Sequence, residues 1–256
     1  MSAIVIFDID GVIRDVTNSY RRALADTVEH FTSYAFRPNM QDIDNLKSEG
    51  IWNNDWEGSQ ELIYRFFESQ GQDRSTVNLD YDEIVDFFQR RYRGSDLENP
   101  EKWDGYITKE PLLVDRDYFD KLTANNLTWG FFSGATKGSA NFILNKRLGL
   151  ETPVLVAMED APGKPDPTGL FDAIKQLEQK YDLPENLPVV YLGDTVADMT
   201  TIVKAREVDS EREFIAIGVL PPHINYNEQV INQYRQQLFQ AGASNVVDNT
   251  IDFQNI

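Results

Sequence analysis

The sequence contains no cysteine, and its longest apolar runs are only as long as a β-strand. Without cysteine the chain can form neither a disulfide framework nor a thiolate metal site. A membrane-spanning helix needs about 20 consecutive apolar residues, which the sequence does not contain. The N-terminus also lacks the basic region and apolar stretch of a secretory signal. These absences predict a soluble, cytoplasmic protein without a membrane partner.

Basic residues are also few, because 24 lysines and arginines stand against 42 acidic residues and give a formal net charge of −18. Nucleic-acid binders usually show the opposite balance, so we predict no nucleic-acid partner. A negative field also disfavours anionic small molecules, and a phosphate ester would therefore need positive charge concentrated at its site. The alternative interpretation of the excess charge is a solvated acidic surface that keeps the protein in solution.

Six short apolar segments, rich in β-branched or aromatic residues, are predicted to be buried strands. Continuous apolar runs are typical of a parallel sheet that is covered on both faces. Helical patterns separate the later strands, and this alternation indicates a doubly wound, Rossmann-like α/β sheet. The predicted strands are Ala3–Phe7, Thr128–Phe132, Val154–Ala157, Val189–Leu192, Phe214–Val219 and Asn245–Val247; the later helices are Gly138–Leu148, Gly169–Lys180, Val196–Arg206 and Asn227–Ala241.

The interval between the first two predicted strands contains helical patterns and no convincing strand. It is far longer than the dozen or so residues that a crossover between parallel strands needs. We interpret it as an inserted helical-bundle cap over residues 17–109, with the α/β core formed by residues 1–16 and 110–256 and with hinges near 14–18 and 108–114. The helices predicted within the insert are Tyr20–Tyr34, Gln41–Lys47, Ser59–Gln70 and Tyr81–Tyr92.

Polar residues lie in the segments that follow four of the predicted strands. In open α/β sheets the ligand binds outside the carboxyl ends of the strands, so these side chains are expected to meet at one place. They are Asp8 and Asp10 after the first strand, Ser133 and Gly134 after the second, Lys164 after the third, and Asp194 and Asp198 after the fourth.

The aspartates can do both metal and acid–base chemistry. Asp8 and Asp194 offer the oxygen ligands that Mg²⁺ takes together with a substrate phosphate. An aspartate carboxylate can also act as a nucleophile that forms an aspartyl phosphate. Asp10 lies two residues further along the strand end and points to the same side, where it could protonate a leaving alkoxide and then activate water. The alternative for Asp8 and Asp10 is a simple acidic turn.

The other strand ends offer groups that bind a phosphoryl oxygen. The hydroxyl of Ser133 and the amide of Gly134 can donate to it, particularly because a helix is predicted just beyond. Lys164 supplies positive charge against a developing anion. Other interpretations remain open at this point. Ser133 could cap a helix, Lys164 could lie in an ordinary loop, and Asp198 could simply be a carboxylate on a helix face.

The sequence resembles the haloacid dehalogenase-like hydrolase superfamily. The helical insert lies where one branch of that family carries a helical cap; the branch includes phosphoglycolate phosphatase, β-phosphoglucomutase and the haloalkanoic acid dehalogenases. DxDG or GDxxxD alone is weakly specific, but four motifs in order, each at a strand end, are strongly specific. The segments that carry the resemblance are Asp8-Ile-Asp10-Gly-Val-Ile, Ser133, Lys164-Pro165 and Gly193-Asp194-Thr195-Val-Ala-Asp198.

The resemblance implies a role for each aspartate. Asp8 would be the nucleophile and a ligand of Mg²⁺. Asp10 would be the general acid and base, with its backbone carbonyl on the metal. Asp194 would be the second carboxylate ligand, and Asp198 would support the metal site from nearby. The resemblance further implies that Lys164, with Ser133, binds the phosphoryl group being transferred.

Within this family, dehalogenases and phosphonate-cleaving relatives lack the second aspartate of the first motif, so Asp10 favours phosphoester chemistry. We therefore predict an Mg²⁺-dependent phosphatase that hydrolyses a small phosphorylated metabolite through an aspartyl phosphate at Asp8. One alternative is a phosphomutase that uses the same chemistry and returns the phosphate to its substrate. A non-catalytic binding protein on the same fold is the other alternative, although no motif residue is missing.

Substrate specificity is expected from the cap, because closure of a cap over the site excludes water. Trp52 and Trp56 flank a polar cluster that includes Asn53 and Asn54, and such a combination suits a hydroxyl-bearing or ring-containing leaving group. The alternative is that the two tryptophans, four residues apart, pack in the interior of the cap.

Two arginines are further candidates for contact with the substrate. Arg14 departs from the apolar residue that many relatives carry, and it would add positive charge near the hinge. Arg21, in the first predicted helix of the cap, could contact a second anionic group. The alternative for Arg21 is a solvated helix face.

Overall fold

The computed structural model describes residues 2–52, 54–224 and 227–255. The chain divides into two compact units, one formed by Met1–Asp15 with Pro111–Ile256 and the other by Val16–Glu110. The first unit is an α/β unit and the second is helical. None of the helices in the described ranges is long and apolar enough to cross a membrane.

The α/β unit is built on a six-stranded parallel sheet with the strand order β3-β2-β1-β4-β5-β6. Helices lie in the connections between its strands, so the predicted doubly wound α/β fold class is confirmed. The strands are β1 Ala3–Phe7, β2 Leu127–Phe132, β3 Leu155–Val156, β4 Val189–Gly193, β5 Phe214–Val219 and β6 Asn245–Val247.

The helices alternate with these strands or make up the helical unit. They are α1 Tyr20–Phe31, α2 Met40–Lys47, α3 Asp55–Ser69, α4 Tyr81–Tyr92, α5 Arg116–Ala124, α6 Lys137–Asn141, α7 Thr168–Tyr181, α8 Val196–Val208 and α9 Glu228–Gln240. A π-helical turn spans Phe142–Arg147, and short 3-10 segments span Arg74–Thr76, Pro100–Lys102, Tyr106–Lys109, Pro222–Ile224 and Thr250–Asn255.

The register of the central strands brings two site-bearing loops together. Phe7 at the end of β1 pairs with Phe131 of β2 on one side and with Leu192 of β4 on the other. The N–H of Asp8 continues this ladder by donating to the carbonyl of Leu192 at 2.8 Å. The loops after β1 and β4 therefore start side by side at the same edge of the sheet.

Apolar residues cover both faces of the sheet, as the continuous apolar runs predicted. On one face Ile4 and Ile6 belong to a buried cluster with residues of α7, α8 and the neighbouring strands. On the other face the ring of Phe7 packs edge-on against Phe119 of α5, with ring centroids 5.8 Å apart. Because the sheet is buried on both faces, the polar chemistry is confined to its carboxyl edge.

The predicted helix Gly138–Leu148 differs from the structure in its second half. The helix begins as α6 and continues as the π-helical turn, in which the N–H of Leu148 donates to the carbonyl of Ile143 at 2.9 Å. Three consecutive apolar residues, Phe142 to Leu144, are buried there. The apolar pattern of the sequence thus predicted a helix here but not its π-helical hydrogen bonding.

Helix α5 was not predicted from the sequence, although the sequence contains a signal for it. Asp115 lies in the N-cap position, and its carboxylate accepts a hydrogen bond from the N–H of Tyr118. Tyr118, Phe119 and Leu122 are buried and have helical spacing. This N-cap signature lies directly after the segment 108–114, which was predicted to be a hinge, and no helix was predicted there.

The helical unit packs α1 against both α3 and α4. The ring of Tyr20 lies with its centroid 4.2 Å from that of Tyr92 and 5.2 Å from that of Phe88. Helix α1 ends at Phe31, earlier than predicted, because the backbone at residues 33 and 34 is left-handed, with φ of 54° and 65°. Within the part of this unit that the structure describes there is no β-strand.

Candidate active site

The turn after β1 requires a glycine. Gly11 has a φ of +73°, and a Cβ atom at this position would lie 2.1 Å from Oδ2 of Asp194. The chain therefore turns away directly beneath the Asp194 carboxylate, and a side chain at position 11 would displace that carboxylate. This close approach brings the loop after β4 against the loop that carries Asp8 and Asp10.

Asp8, Lys164 and Asp198 form a buried charged cluster. The Nζ of Lys164 lies 2.9 Å from Oδ1 of Asp8 and 2.5 Å from Oδ1 of Asp198. The ammonium also lies 5.2 Å from the ring centroid of Phe132 and 5.3 Å from that of Tyr191. Two carboxylates and two aromatic rings thus surround the Lys164 ammonium. Lys164 is therefore not the uninvolved lysine of an ordinary loop.

Each oxygen of the Asp198 carboxylate has partners within the protein. Oδ1 accepts from Lys164 and from the hydroxyl of Tyr191 at 2.8 Å. Oδ2 accepts from the N–H of Thr195 at 2.9 Å and from its hydroxyl at 2.6 Å, and the N–H of Asp198 donates to Oγ1 of Thr195 at 3.2 Å, which completes a capping box at the start of α8. Asp198 lies in the first turn of α8 and is only 1% exposed, so it is more than the simple helix-face carboxylate of the alternative interpretation, because the buried cluster uses both of its oxygens.

Tyr191 is a site residue that the sequence analysis missed. It lies in the middle of β4, is fully buried, and donates its hydroxyl to Asp198. A tyrosine within an otherwise apolar, buried strand is a signal, because its hydroxyl must find a hydrogen-bond partner. The partner in this case belongs to the charged cluster.

The burial of this cluster changes the ionisation of its members. Burial raises the pKa of Asp8 to about 6; Lys164 opposes this shift, and the charges of Asp198 and Asp10 add to it. Burial also opposes the charge of Lys164, but Asp198 and Asp8 outweigh it and raise the pKa of the lysine. Burial would raise the pKa of Asp198, but the charge of Lys164 together with the hydrogen bonds from Lys164 and Thr195 outweighs it and lowers the pKa of that carboxyl.

Three carboxylates fit a metal ion. Asp8, Asp194 and Asp198 each offer an oxygen, and these oxygens lie within 4.8 Å of one another. Among the described residues, buried Oδ1 of Asp8 accepts no hydrogen bond of good geometry, although Lys164 lies at ion-pair distance. Both oxygens of Asp198 already accept hydrogen bonds within the protein, so Asp198 is less available than Asp8 as a direct ligand of such an ion. Oxygen donors of this kind suit a hard divalent cation.

Ser133 lies directly after β2 and is buried. Its Oγ accepts a hydrogen bond from the N–H of Ala135 at 3.2 Å, so the hydroxyl proton can still be donated to another group. The N-cap position of α6 belongs to Thr136, and the alternative of Ser133 as the helix cap is therefore wrong. Gly134 is half-buried next to Ser133 at the same end of β2.

Asp10 and Arg14 are paired within the turn after β1. The Nε of Arg14 donates to Oδ1 of Asp10 at 2.6 Å, and the Asp10 side chain is 25% exposed. Arg14 itself has no exposed surface. Arg14 is expected from the sequence to contact the substrate, but in the structure its side chain is buried and contacts Asp10.

The candidates within the helical unit have local partners. The indole N–H of Trp52 donates to Glu49 at 2.7 Å. Asn54 is the N-cap of α3, and its side-chain oxygen accepts from the N–H of Trp56 at 2.9 Å. Asn53 lies outside the described residues.

Arg21 does not lie on a solvated helix face. Its Nη1 lies 2.7 Å from Oδ1 of Asp44, and the two side chains are 12% and 13% exposed. This ion pair joins α1 to α2 within the helical unit. Arg21 is thereby neutralised by a neighbouring helix, so we do not retain it as a candidate for binding a second anionic group.

The sequence is similar to known proteins. A family model described as haloacid dehalogenase-like hydrolase matches residues 3–206. An imidazoleglycerol-phosphate dehydratase from Phytophthora nicotianae is 27% identical over 249 residues, which cover 95% of the chain. The chain spans 49% of the length of that relative.

Solved structures share the fold at low sequence identity. Phosphatase Tt82 from Thermococcus thioreducens aligns with a TM-score of 0.61 and 21% identity, over 90% of the chain and 98% of the other protein. CbbY from Rhodobacter sphaeroides in complex with phosphate aligns with a TM-score of 0.60 and 14% identity, over 99% of the chain and 96% of the other protein. At these identities the likeness concerns the fold alone.

Proposed function

The chain belongs to the haloacid dehalogenase-like hydrolases, and from this premise we propose that it is an Mg²⁺-dependent phosphatase that hydrolyses a small phosphorylated metabolite through an aspartyl phosphate at Asp8. The observation that carries the proposal is the buried contact between Asp8 and Lys164, with Nζ and Oδ1 separated by 2.9 Å. A carboxylate that is withdrawn from water beside a fixed cation is suited to attack an anionic phosphoryl group.

In the first step a carboxylate oxygen of Asp8 attacks the phosphorus of the ester. The new bond joins that oxygen to phosphorus, and the bond between phosphorus and the ester oxygen breaks. Asp10 gives its proton to the departing oxygen, so the alcohol leaves in neutral form. Lys164 offsets the negative charge of the transferring group, and Ser133 and the amide of Gly134 donate hydrogen bonds to its oxygens.

In the second step water hydrolyses the aspartyl phosphate. Asp10, now a carboxylate, takes a proton from the water while the water oxygen bonds to phosphorus. The bond between phosphorus and the Asp8 oxygen breaks, which releases inorganic phosphate and restores the Asp8 carboxylate. Asp10 regains its proton in this step, so one residue acts as acid and then as base.

A bound Mg²⁺ ion would neutralise charge on the phosphoryl oxygens. Asp8 and Asp194 would hold the ion directly, together with the backbone carbonyl of Asp10, and Asp198 would orient the site. The three carboxylate oxygens within 4.8 Å of one another support this assignment. Gly11 leaves room for the Asp194 carboxylate in the same place.

The choice of substrate is proposed to depend in part on the helical unit, with Trp52 as the candidate contact. The Phytophthora relative is named for a phosphate ester that carries an imidazole ring, and esters of nitrogen heterocycles therefore belong in a substrate panel beside sugar phosphates. Trp52→Ala should change the relative kcat/KM values across that panel, whereas Trp52→Phe, which keeps a flat ring, should change them less. Equal values in all three proteins would exclude Trp52 as a specificity residue.

The function is tested by release of inorganic phosphate from such a panel, in Mg²⁺ and in a chelator. We expect Mg²⁺-dependent release that is lost in Asp8→Asn, with the fold retained by circular dichroism. Asp120→Asn removes an exposed carboxylate of α5 and is the charge-matched control, with activity unchanged. Release from no ester by the wild-type protein would overturn the proposal, and isomerisation of a sugar phosphate without net release would identify a phosphomutase instead.

A further inference from the structure

Arg14 is the largest side chain that is fully buried in the described structure. Its Nε donates to Oδ1 of Asp10, whose side chain is 25% exposed. We infer that Arg14 is a positioning residue that holds the Asp10 carboxylate in the orientation for proton transfer to the leaving group. This inference rests on the proposed function, because it concerns how the general acid of that reaction is held.

The backbone of the same turn supports this role. The carbonyl of Ile9 accepts from the N–H of Ile13 at 2.8 Å and from that of Arg14 at 3.1 Å. The N–H of Gly11 donates to the carbonyl of Arg14 at 2.9 Å. Main chain and side chain therefore both join Arg14 to the segment around Asp10. A buried guanidinium on a closed turn has little conformational freedom. The carboxylate that it binds is therefore also restricted in its orientation.

The hydrogen bond also distinguishes the two oxygens of Asp10. Oδ1 accepts from Arg14, and this leaves Oδ2 as the oxygen that exchanges a proton with the ester oxygen and later with water. In this role Arg14 acts on the reaction through the orientation of Asp10, and it does not alter which bonds form and break.

The loss of rate that follows removal of such a positioning residue depends on the leaving group of the ester. An alkyl alcohol leaves poorly without a proton, whereas 4-nitrophenolate leaves readily as an anion and gains little from a general acid. The parameter kcat/KM covers the reaction up to departure of the leaving group, so the later water step does not enter it. Loss of Arg14 should therefore lower kcat/KM much more for alkyl phosphates than for 4-nitrophenyl phosphate.

The experiment compares wild-type protein with Arg14→Met, Arg14→Gln and Arg14→Lys on an alkyl phosphate and on 4-nitrophenyl phosphate. For Arg14→Met we expect kcat/KM to fall about 100-fold on the alkyl ester and less than about 10-fold on the aryl ester. Arg14→Gln, which keeps an N–H donor, should lose less on the alkyl ester. Arg14→Gln and Arg14→Lys also allow the comparison if the methionine variant does not fold.

Asp10→Asn provides the second arm of a double-mutant cycle. Once the general acid is gone, adding Arg14→Met should cause no further selective loss on the alkyl ester. Equal losses on both esters in the folded Arg14 variants would show a merely structural role and overturn the inference. A wild-type protein that releases phosphate from no ester of the substrate panel would instead overturn the proposed function, so the two failures can be told apart.

Discussion

The ammonium of Lys164 lies 2.5 Å from Oδ1 of Asp198, and both side chains are buried in the α/β unit. Asp198 lies in the first turn of α8 and Lys164 lies in the loop that precedes α7, so this contact joins a helix and a loop that are 34 residues apart in sequence. The hydroxyl of Tyr191 donates to the same oxygen. Asp198 therefore holds the lysine that contacts Asp8. The geometry around Asp8 thus depends on Asp198 and Tyr191 as well as on Lys164.

Lys164→Met should cost stability as well as activity. Without the ammonium, Asp8 and Asp198 are buried carboxylates with no cation between them, and breaking such a pair costs about 3–5 kcal/mol. Mg²⁺ should restore part of this loss, because a bound cation neutralises the same carboxylates. Urea unfolding in chelator and in Mg²⁺ measures both effects.

Lys204→Met is the control for this change, because Lys204 is an exposed residue of α8. Its free energy of unfolding should stay within about 0.5 kcal/mol of the wild-type value under both conditions. A Lys164→Met protein that is as stable as the wild type in chelator would contradict the buried-charge argument.

Tyr191→Phe should lower kcat while it leaves the fold intact. The phenyl ring stays beside the Lys164 ammonium, but the hydroxyl that orients Asp198 is lost. We expect kcat to fall about 10-fold, as when a residue that orients a site ligand is removed. The free energy of unfolding should fall by about 1–3 kcal/mol, because a hydrogen bond to a charged group is lost.

Tyr118→Phe is the matched control, because this buried hydroxyl donates to the carbonyl of Thr250 at 3.1 Å and not to the charged cluster. It should cost about 1 kcal/mol of stability and leave kcat unchanged. If both variants lose the same fraction of kcat, the effect of Tyr191→Phe is not due to its contact with Asp198.

Gly11→Ala should disturb the metal site through Asp194. The added Cβ would lie 2.1 Å from Oδ2 of Asp194, and the residue would also have to adopt a φ of +73°. Gly71 in the helical unit has a φ of +82° with no atom within 4 Å of an added Cβ, so Gly71→Ala has the backbone strain without the clash. The strain costs about 1–2 kcal/mol in either variant.

The two glycine variants should differ in their response to Mg²⁺. For Gly11→Ala we expect the Mg²⁺ concentration at half-maximal activity to rise about 10-fold or more, as for other disturbances next to a metal ligand. Gly71→Ala should keep the wild-type value. A titration of phosphate release against Mg²⁺ gives both numbers, and an unchanged value in Gly11→Ala would argue against Asp194 as a ligand.

The sequence predicted the sheet well because buried parallel strands are short, continuous apolar runs. The bounds predicted for β1 and β5 agree with the structure, and β4 differs by a single residue. The edge where the polar residues gather follows from the same rule, since the carboxyl ends of parallel strands lie at one edge. A strand-end position was therefore enough to select Asp8 and Asp194, which directly follow β1 and β4, whereas Lys164 lies in the loop after β3, eight residues beyond Val156.

The partner of each side chain could not be predicted in the same way. Arg14 and Arg21 are charged residues that a sequence places at the surface by default. In the structure Arg14 is buried against Asp10, and Arg21 is paired with Asp44 of another helix. Burial and pairing of this kind depend on tertiary packing, and a pattern of residue types does not contain that information. The same holds for the π-helical turn after α6, whose wider hydrogen bonding is not contained in the apolar pattern of the sequence.

The carboxylate of Glu61 in α3 should make the stability of the protein depend on acid. Arg65 lies 2.7 Å from its Oε1 and Arg74 lies 2.9 Å from its Oε2, while the Glu61 side chain is 8% exposed. Burial alone would raise the pKa of Glu61, but the hydrogen bonds from the two arginines outweigh it and lower the pKa below its ordinary value of 4.5.

A carboxyl group whose pKa is lower in the folded protein than in the unfolded chain stabilises the fold at all pH values above the unfolded pKa. That contribution is lost as the pH falls through the folded pKa. Glu61→Gln should therefore be less stable than the wild type by about 1 kcal/mol at neutral pH, a modest value because the arginines are partly exposed and screened by solvent. This difference should shrink as the pH falls below about 4.5. Urea unfolding of the full chain across this pH range measures the difference.

Glu68→Gln is the control, because it removes an exposed carboxylate that also contacts Arg74. Its free energy of unfolding should stay within about 0.5 kcal/mol of the wild-type value throughout this pH range. A Glu61→Gln difference that is constant with pH would show that the arginines do not stabilise the ionised carboxylate.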